Sequence, residues 1–567
     1  MKIDAFVFLQ RSDIAHFATL GPRHEGVPQI FIDPGLVEIA IQQGLNPKSF
    51  DYRPLNVGRH LQSRITSEAR ARAERLDQLL CAERMRILGP GLMQGWDQGP
   101  LRLFFNRALT AKYLGEICDR SFPEHAIGLF RPTRPQQFYF DSFLAADLFS
   151  EGSTRWKVVD HYDSVANWVE DSTAMCFDFA QIQRRVAAGA AHAVTHIPTC
   201  YSHLPQYQAE IARAFPTNID LPSPFWDIPV RRDQNLSIRT DEVPPEYRDD
   251  ASLVYRERAR CVLEEQLASL IPGKAALRIQ VELMAQRAFV QALNYQGLQR
   301  ALQGARPHFV ITDHDTGSNG PLFTLAQRLG SPITVLPHSS YPTGAIPHPI
   351  NVRVIEREGF ATPTRCVWGE RVETRGARLG KPAQRIERSQ VSTVCLLLNT
   401  MFSQGLSHID FLGMANFHRS LAALCARFGA SVLVRLKPNG AGVTMASNAL
   451  GVSTDDLHTV LRAPIEEVAS LTDLCISYGE PTTAGIDFIS RGSFLMHTGE
   501  QLWPSDYLFS PAYIGDGTVP SFTDAPALAE IEGLLADPER FRARCTAQGE
   551  AFARRLGATD GAIFNER

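Results

Sequence analysis

Two short stretches decide how this chain is read: Val432-Leu433-Val434-Arg435-Leu436-Lys437-Pro438-Asn439, and Leu474-Cys475-Ile476-Ser477-Tyr478-Gly479-Glu480-Pro481-Thr482-Thr483-Ala484-Gly485-Ile486-Asp487. Each is a brief apolar strand that stops at polar or turn-forming residues. The second runs directly into an apolar helix. Free backbone N–H groups at a helix start, with Thr hydroxyls and a nearby cation, make a seat for an anion such as a phosphate. In an open parallel sheet such seats line up along the carboxyl edge of the strands. The region is therefore expected to be the nucleotide-binding edge of an α/β domain.

Similar strand–helix units surround it. His308 to Thr312 reads as a strand with the polar tip Asp313-His314-Asp315-Thr316-Gly317. A helix from Pro321 to Leu329 follows, then a strand from Ile333 to Leu336 with the tip Pro337-His338-Ser339-Ser340. Crossovers through helices favour parallel pairing. Earlier strands are expected at Lys2–Leu9, Ala126–Phe130 and Trp156–Val159, the last closed by Asp160-His161. Residues 60–85 and 251–304 have helical patterning, the second broken near Pro272-Gly273. Residues 215–250 read as an irregular insertion. A strand is expected near Cys366-Val367-Trp368. Residues 371–390 lack apolar periodicity and read as a linker, after which strands follow at Val394–Leu398, Val432–Val434, Leu457–Val460, Leu474–Ser477 and Phe494–Met496. Helices are expected at Ala415–Phe428, Pro464–Leu471 and Glu530–Leu556. The expected fold is α/β with two Rossmann-like lobes: residues 1–385, enlarged by helical insertions, and residues 386–567.

Composition narrows the function classes. The chain has 567 residues, 44 % hydrophobic and 21 % charged, with a net charge of −4. That supports a large core and gives no basic field for nucleic acid as the main partner. The Arg-rich run Arg70, Arg72, Arg75 between Glu68 and Glu74 reads as a solvated helix face. Ten cysteines without a CxxC pair are expected to be free thiols of a reducing compartment. No run approaches the roughly 20 apolar residues that span a bilayer. A cytoplasmic protein is expected, with peripheral contact at the inner membrane face left open.

The order of these features resembles the GT-B glycosyltransferase superfamily, in particular bacterial enzymes of surface and capsular polysaccharide synthesis. Leu336-Pro337-His338-Ser339 and Val367-Trp368-Gly369-Glu370 stand where such enzymes carry a Gln-His-Gly-like tip and a Val-Trp-Gly segment. Arg435-Leu436-Lys437-Pro438 stands for an Arg-x-His-Pro-like tip, with Lys437 in place of His. Useful likeness covers roughly residues 305–510. It implies a metal-independent transferase that uses a nucleotide sugar as substrate, needs no cofactor, and acts on a glycan or lipid-linked acceptor.

Inverting transfer needs a base for the acceptor hydroxyl and cations or N–H groups for the leaving phosphate. Asp313, Asp315 and His338 are the candidate catalytic residues, with helix capping as the plainer alternative for the aspartates. Arg435, Lys437, Asn439, Tyr478, Glu480, Thr482 and Thr483 are the donor and phosphate candidates. Weaker acceptor-side candidates are His314, Ser339 and Arg131, the last better suited to a surface ion pair. His192 and His196 are four apart and would share a helix face, but Ala193 stands where a zinc-protease motif needs Glu, so no metal is expected. Two alternatives remain open: a polyol-phosphate transferase or sugar-nucleotide epimerase on the same fold, and a non-catalytic scaffold.

Overall fold

The computed structural model describes residues 2–21, 24, 26–32, 34–51, 59–90, 95–135, 140, 142–150, 153–161, 175–189, 192–196, 204–221, 236–312, 320–336, 352–357, 372–377, 384–398, 411–437, 442–479, 484–499, 517–556 and 564. Three parallel sheets follow one another along the chain. The first has strands β1 (Ala5–Phe8), β2 (Gln29–Phe31), β3 (Phe50–Asp51), β4 (Ile127–Pro132) and β5 (Trp156–His161), in the order β3-β2-β1-β4-β5. Its helices are α1 (Arg11–Thr19), α2 (Pro34–Gln42), α3 (Arg59–Leu88), α4 (Gln98–Ser121) and α5 (Ser142–Ser150). Phe6, Phe8 and Phe31 pack with α1 and α2 on one face; Ala5, Val7 and Leu129 pack with α3, α4 and α5 on the other. Alternate strand residues face opposite sides, so this apolar run buries both.

A two-stranded antiparallel ribbon, β6 (Met175–Phe177) with β9 (Ser237–Arg239), brackets the start of the second sheet. That sheet contains β7 (Ala193–His196), β8 (Asn218–Asp220), β10 (His308–Thr312), β11 (Ile333–Leu336), β12 (Val352–Arg357) and β13 (Val372–Ala377), ordered β13-β12-β11-β10-β7-β8. The helices here are α6 (Phe179–Ala187), α7 (Leu204–Ala214), α8 (Asp250–Leu267), α9 (Lys274–Ala301) and α10 (Gly320–Leu329).

Helix α9 joins the first two sheets. Its earlier half, with Val281, Ala285 and Ala288, sits in the core of the first. Its later half, with Val290, Leu293 and Leu298, sits in the core of the second. Polar residues of α9, among them Gln280, Arg287, Gln291 and Asn294, are buried along with its apolar ones. Beside it lies a sealed ionic network. Arg84 donates to Asp97 at 3.1 Å and to the Tyr255 hydroxyl at 3.2 Å, Arg287 donates to the other oxygen of Asp97, and Asp77 accepts from the backbone N–H groups of Gly95 and Asp97. Burial and the nearby Asp97 push the Asp77 carboxyl up to about 6, against the pull of Arg84.

The third sheet has β14 (Thr393–Leu398), β15 (Ser431–Arg435), β16 (Leu474–Tyr478) and β17 (Phe494–Thr498), ordered β15-β14-β16-β17. Helices α11 (Phe411–Arg427), α12 (Val443–Leu450), α13 (Thr454–Arg462), α14 (Ile465–Leu471), α15 (Gly485–Ser490), α16 (Asp524–Ala536) and α17 (Pro538–Leu556) complete this part. Leu396, Ile476 and Met496 face α11 and α16. Cys395, Cys475 and Leu495 face α14 and α15.

Four expectations change. Residues 1–385 hold two parallel sheets rather than one, tied together by α9. Leu457–Val460 lies in helix α13, not a strand, because Ser453 caps it by accepting from the Asp456 N–H at 3.1 Å. The expected linker 371–390 contains β13, which pairs along β12 as an edge strand. His192 and His196 do not share a helix face, since His196 ends strand β7. The strand expected near Cys366–Trp368 falls outside the described residues. The Arg-rich run is a solvated helix face: Arg70 pairs with Glu74 and Arg72 with Glu68. The eight described cysteines are free, and all but Cys261 are buried.

Candidate functional site: the carboxyl edge of the third sheet

An open parallel sheet leaves a crevice where successive crossovers diverge to opposite faces, just beyond the strand ends. In the third sheet that point lies between β14 and β16. The chain leaves β14 through α11 on one face and leaves β16 through α15 on the other. The β16 tip is Tyr478-Gly479, and its neighbour β17 ends at His497-Thr498-Gly499.

The two tips are built for close backbone approach. Gly479 N–H donates to the Thr498 carbonyl at 2.9 Å. Gly479 has φ +74° and Gly499 φ +84°, a left-handed conformation that favours glycine. A Cβ on Gly499 would fall 2.8 Å from the Gly479 nitrogen. His497 fixes this pair from below. It is fully buried, its Nε2–H donates to the Gly479 carbonyl at 2.7 Å, and its Nδ1 accepts from the Ser521 hydroxyl at 2.8 Å. Burial pushes the imidazole below its ordinary range, so it is held neutral. Asp524, at the start of α16, accepts from Tyr478 and Thr498, each at 3.3 Å.

The described donor candidates occupy different environments. Tyr478 is only 5 % exposed and its ring lies 5.3 Å from that of Phe417, so it contributes backbone rather than side chain to the edge. Arg435 and Lys437 do not share a solvent-facing side. Arg435 is buried, and its Nη1 donates to the Ala463 carbonyl at 2.9 Å and to the Val460 carbonyl. These are orphan carbonyls at the C-terminal end of α13, where a cation is favourable. Burial pushes the Arg435 guanidinium below its usual range. Lys437, two residues on, is exposed. Asn439, Glu480, Thr482 and Thr483 lie outside the described residues.

The second sheet has its own diverging point, between β7 and β10. There His196 is paired in register with Ile311, one residue from the strand end at Thr312. The catalytic candidates Asp313 and Asp315, with His314, follow Thr312 directly in sequence. They and His338 and Ser339 lie outside the described residues. Arg131, one residue before the end of β4, grips Asp160 with two nitrogens, at 2.6 and 3.2 Å, with Asp147 at 3.6 Å. This is the ion pair the sequence allowed as the plainer reading. Among the described residues no group of His, Cys, Asp and Glu is arranged to hold a metal.

His497, Gly499 and Asp524 were not singled out from sequence. Gly499 carried a signal, as a glycine directly after an apolar strand. A lone His inside an apolar strand and an Asp opening a helix did not.

No protein-family profile matches the sequence, and no curated protein is similar to it. Among solved structures, the crystal structure of Acinetobacter baumannii MurG is similar with a TM-score of 0.32 and 9 % identity, covering 65 % of this chain and 96 % of that one. A likeness that slight carries no argument, and the edge geometry stands alone.

Proposed function

We propose that the chain is a glycosyltransferase that moves a sugar from a nucleotide-activated donor to a glycan or other surface-glycoconjugate acceptor. The supporting observation is the β16 tip at Gly479, which borders the diverging point of a parallel sheet and is pressed against Gly499 at the end of β17. There a phosphate could approach bare backbone. Lys437, exposed just beyond β15, would supply the cation, and Asn439, Glu480, Thr482 and Thr483 the polar contacts. Leaving-group charge would be neutralised by these groups without a metal.

In this reading the second and third sheets form the two lobes of a GT-B-like enzyme. Asp313, Asp315 or His338, following the tips of β10 and β11, would take the acceptor proton. The site of action would be the cytoplasmic side of the membrane surface, on a lipid-linked or growing glycan. No described helix is long and apolar enough to cross a membrane.

The test is a thermal-shift panel of nucleoside mono- and diphosphates and nucleotide sugars on the full chain. A ligand at 100 times its Kd should add about 2.7 kcal/mol of stability. A melting temperature unmoved by every member of the panel removes the reading.

A further inference from the structure

Helix α12, which follows β15 in the chain, belongs to two cores at once. Val443 and Ala446 sit in the core of the third sheet, while Met445 sits in the cluster of Phe6, Phe8 and Phe31 on the first. The helix facing it there is α2. Among the described elements, α2 against α12 is the most extensive contact between those two parts of the chain.

The start of α12 has no cap of its own. Gly442 takes the N-cap position without a side chain to offer, and its carbonyl accepts from the Ala446 N–H at 2.8 Å. The N–H groups ahead of Ala446 have no partner inside the helix. Glu38 supplies one from α2. Its Oε2 accepts from the N–H groups of Thr444 at 3.0 Å and Met445 at 3.3 Å, and its Oε1 from the Thr444 hydroxyl at 3.0 Å. Three donors at the positive end of a helix thus converge on one acidic side chain, which is only 8 % exposed. The seat for an anion is real, because an anionic group already sits in it.

The origin of that group gives the seat a second state. Helix α13, in the same part of the chain, is capped by its own Ser453 and keeps its cap whatever else moves. The cap of α12 comes from α2 and lasts only while the first sheet rests against the third. When the two part, the three donors lose their acceptor. A phosphate group presents three acceptor oxygens and up to two negative charges, so the same donors serve it. A cation is repelled there, and a neutral hydroxyl brings no charge to the helix end.

We infer that the start of α12 is a phosphate-binding seat kept shut by Glu38: a phosphate-bearing ligand takes it by displacing the Glu38 side chain and releasing α2. The connection from β15 to this seat begins at Lys437, so the inference deepens the proposed function by naming how that edge is regulated. It rests on that reading only for which ligand carries the phosphate.

The experiment is hydrogen–deuterium exchange on the full chain, wild type and Glu38→Gln, titrated with inorganic pyrophosphate, with potassium chloride at matched ionic strength as control. Glu38→Gln should exchange faster at residues 443–446, and pyrophosphate should restore protection there. Its apparent Kd should be about tenfold lower than in wild type, since a seat open in about one molecule in ten binds ten times more weakly. In wild type, whose fold is not in question, pyrophosphate should speed exchange in α2 while 443–446 stay protected. Equal affinities in the two proteins, no protection of 443–446 in Glu38→Gln, or the same response to chloride each overturns the seat, even where nucleotides protect 478–499. The expected pyrophosphate response with none to any nucleotide upholds the seat and removes the nucleotide reading instead.

Discussion

Gly499 lies against the backbone of Gly479 so closely that any side chain on it would meet the Gly479 nitrogen at 2.8 Å. The contact joins the ends of β16 and β17 at the proposed nucleotide edge. Gly499→Ala should cost about 1–3 kcal/mol, since both the positive φ and the backbone clash oppose it. Gly517 has a similar φ of +80° but nothing within 4 Å of a Cβ. Gly517→Ala should therefore cost less, only the φ strain. Denaturant unfolding of both variants separates the two effects; equal losses would mean the close approach is unimportant.

Arg435 and Lys437 should divide stability from binding. Arg435→Met leaves the Val460 and Ala463 carbonyls without their donor and should cost about 1–3 kcal/mol. Lys437→Ala, at an exposed position, should stay within about 0.5 kcal/mol of wild type. If the proposed function holds, only Lys437→Ala keeps its stability while weakening the nucleotide-induced shift. Thermal melts with and without nucleotide read both.

Asp77 should give stability a distinctive pH dependence. Its folded-state value of about 6 lies above the ordinary 3.8, so the folded chain holds this proton more tightly than the unfolded one. Its contribution is fully present below pH 3.8 and is lost as pH rises through about 6. Stability of wild type relative to Asp77→Asn should therefore grow on acidification across that window, by on the order of 3 kcal/mol at most. A difference that stays flat, or runs the other way, would mean that Arg84 keeps Asp77 charged.

Glu38 on α2 ties the first sheet to the third. Its carboxylate accepts from the Thr444 N–H and hydroxyl, each at 3.0 Å, and from the Met445 N–H at 3.3 Å. Met445 joins the cluster of Phe6, Phe8 and Phe31. Glu38→Ala should speed amide exchange at Thr444 and Met445 by roughly tenfold or more, the equivalent of losing about 1.4 kcal/mol of local protection. Unchanged exchange there would mean the contact is not kept in solution.

Much of the framework was legible because apolar runs and breakers coincided. Pro272-Gly273 separates α8 from α9, and the unit His308–Leu336 and the strands Val394–Leu398, Leu474–Ser477 and Phe494–Met496 read near their observed limits. Two kinds of feature were hidden. Local signals misled where a tertiary partner decides: Leu457–Val460 has strand-like residues but follows a Ser453 cap, and Val372–Ala377 is a strand only because β12 is beside it. The buried network was hidden because Arg84, Asp77, Asp97 and Arg287 look like ordinary charged helix residues. Only their convergence around α9 removes them from water.

The candidate site was legible as an edge rather than as a set of side chains. Strand ends and glycines in sequence located Tyr478-Gly479. Which side chains turn inward depends on α13 and α16, and neither the Arg435 bonds to α13 nor the Tyr478 bond to Asp524 has a sequence signature.

The most direct test of the central claim is hydrogen–deuterium exchange on the full chain with and without the nucleotide that gives the largest thermal shift. The account predicts slowed exchange in peptides covering 435–443 and 478–499, at the tips of β15, β16 and β17. Protection confined to other parts of the chain, with those tips unchanged, would contradict it.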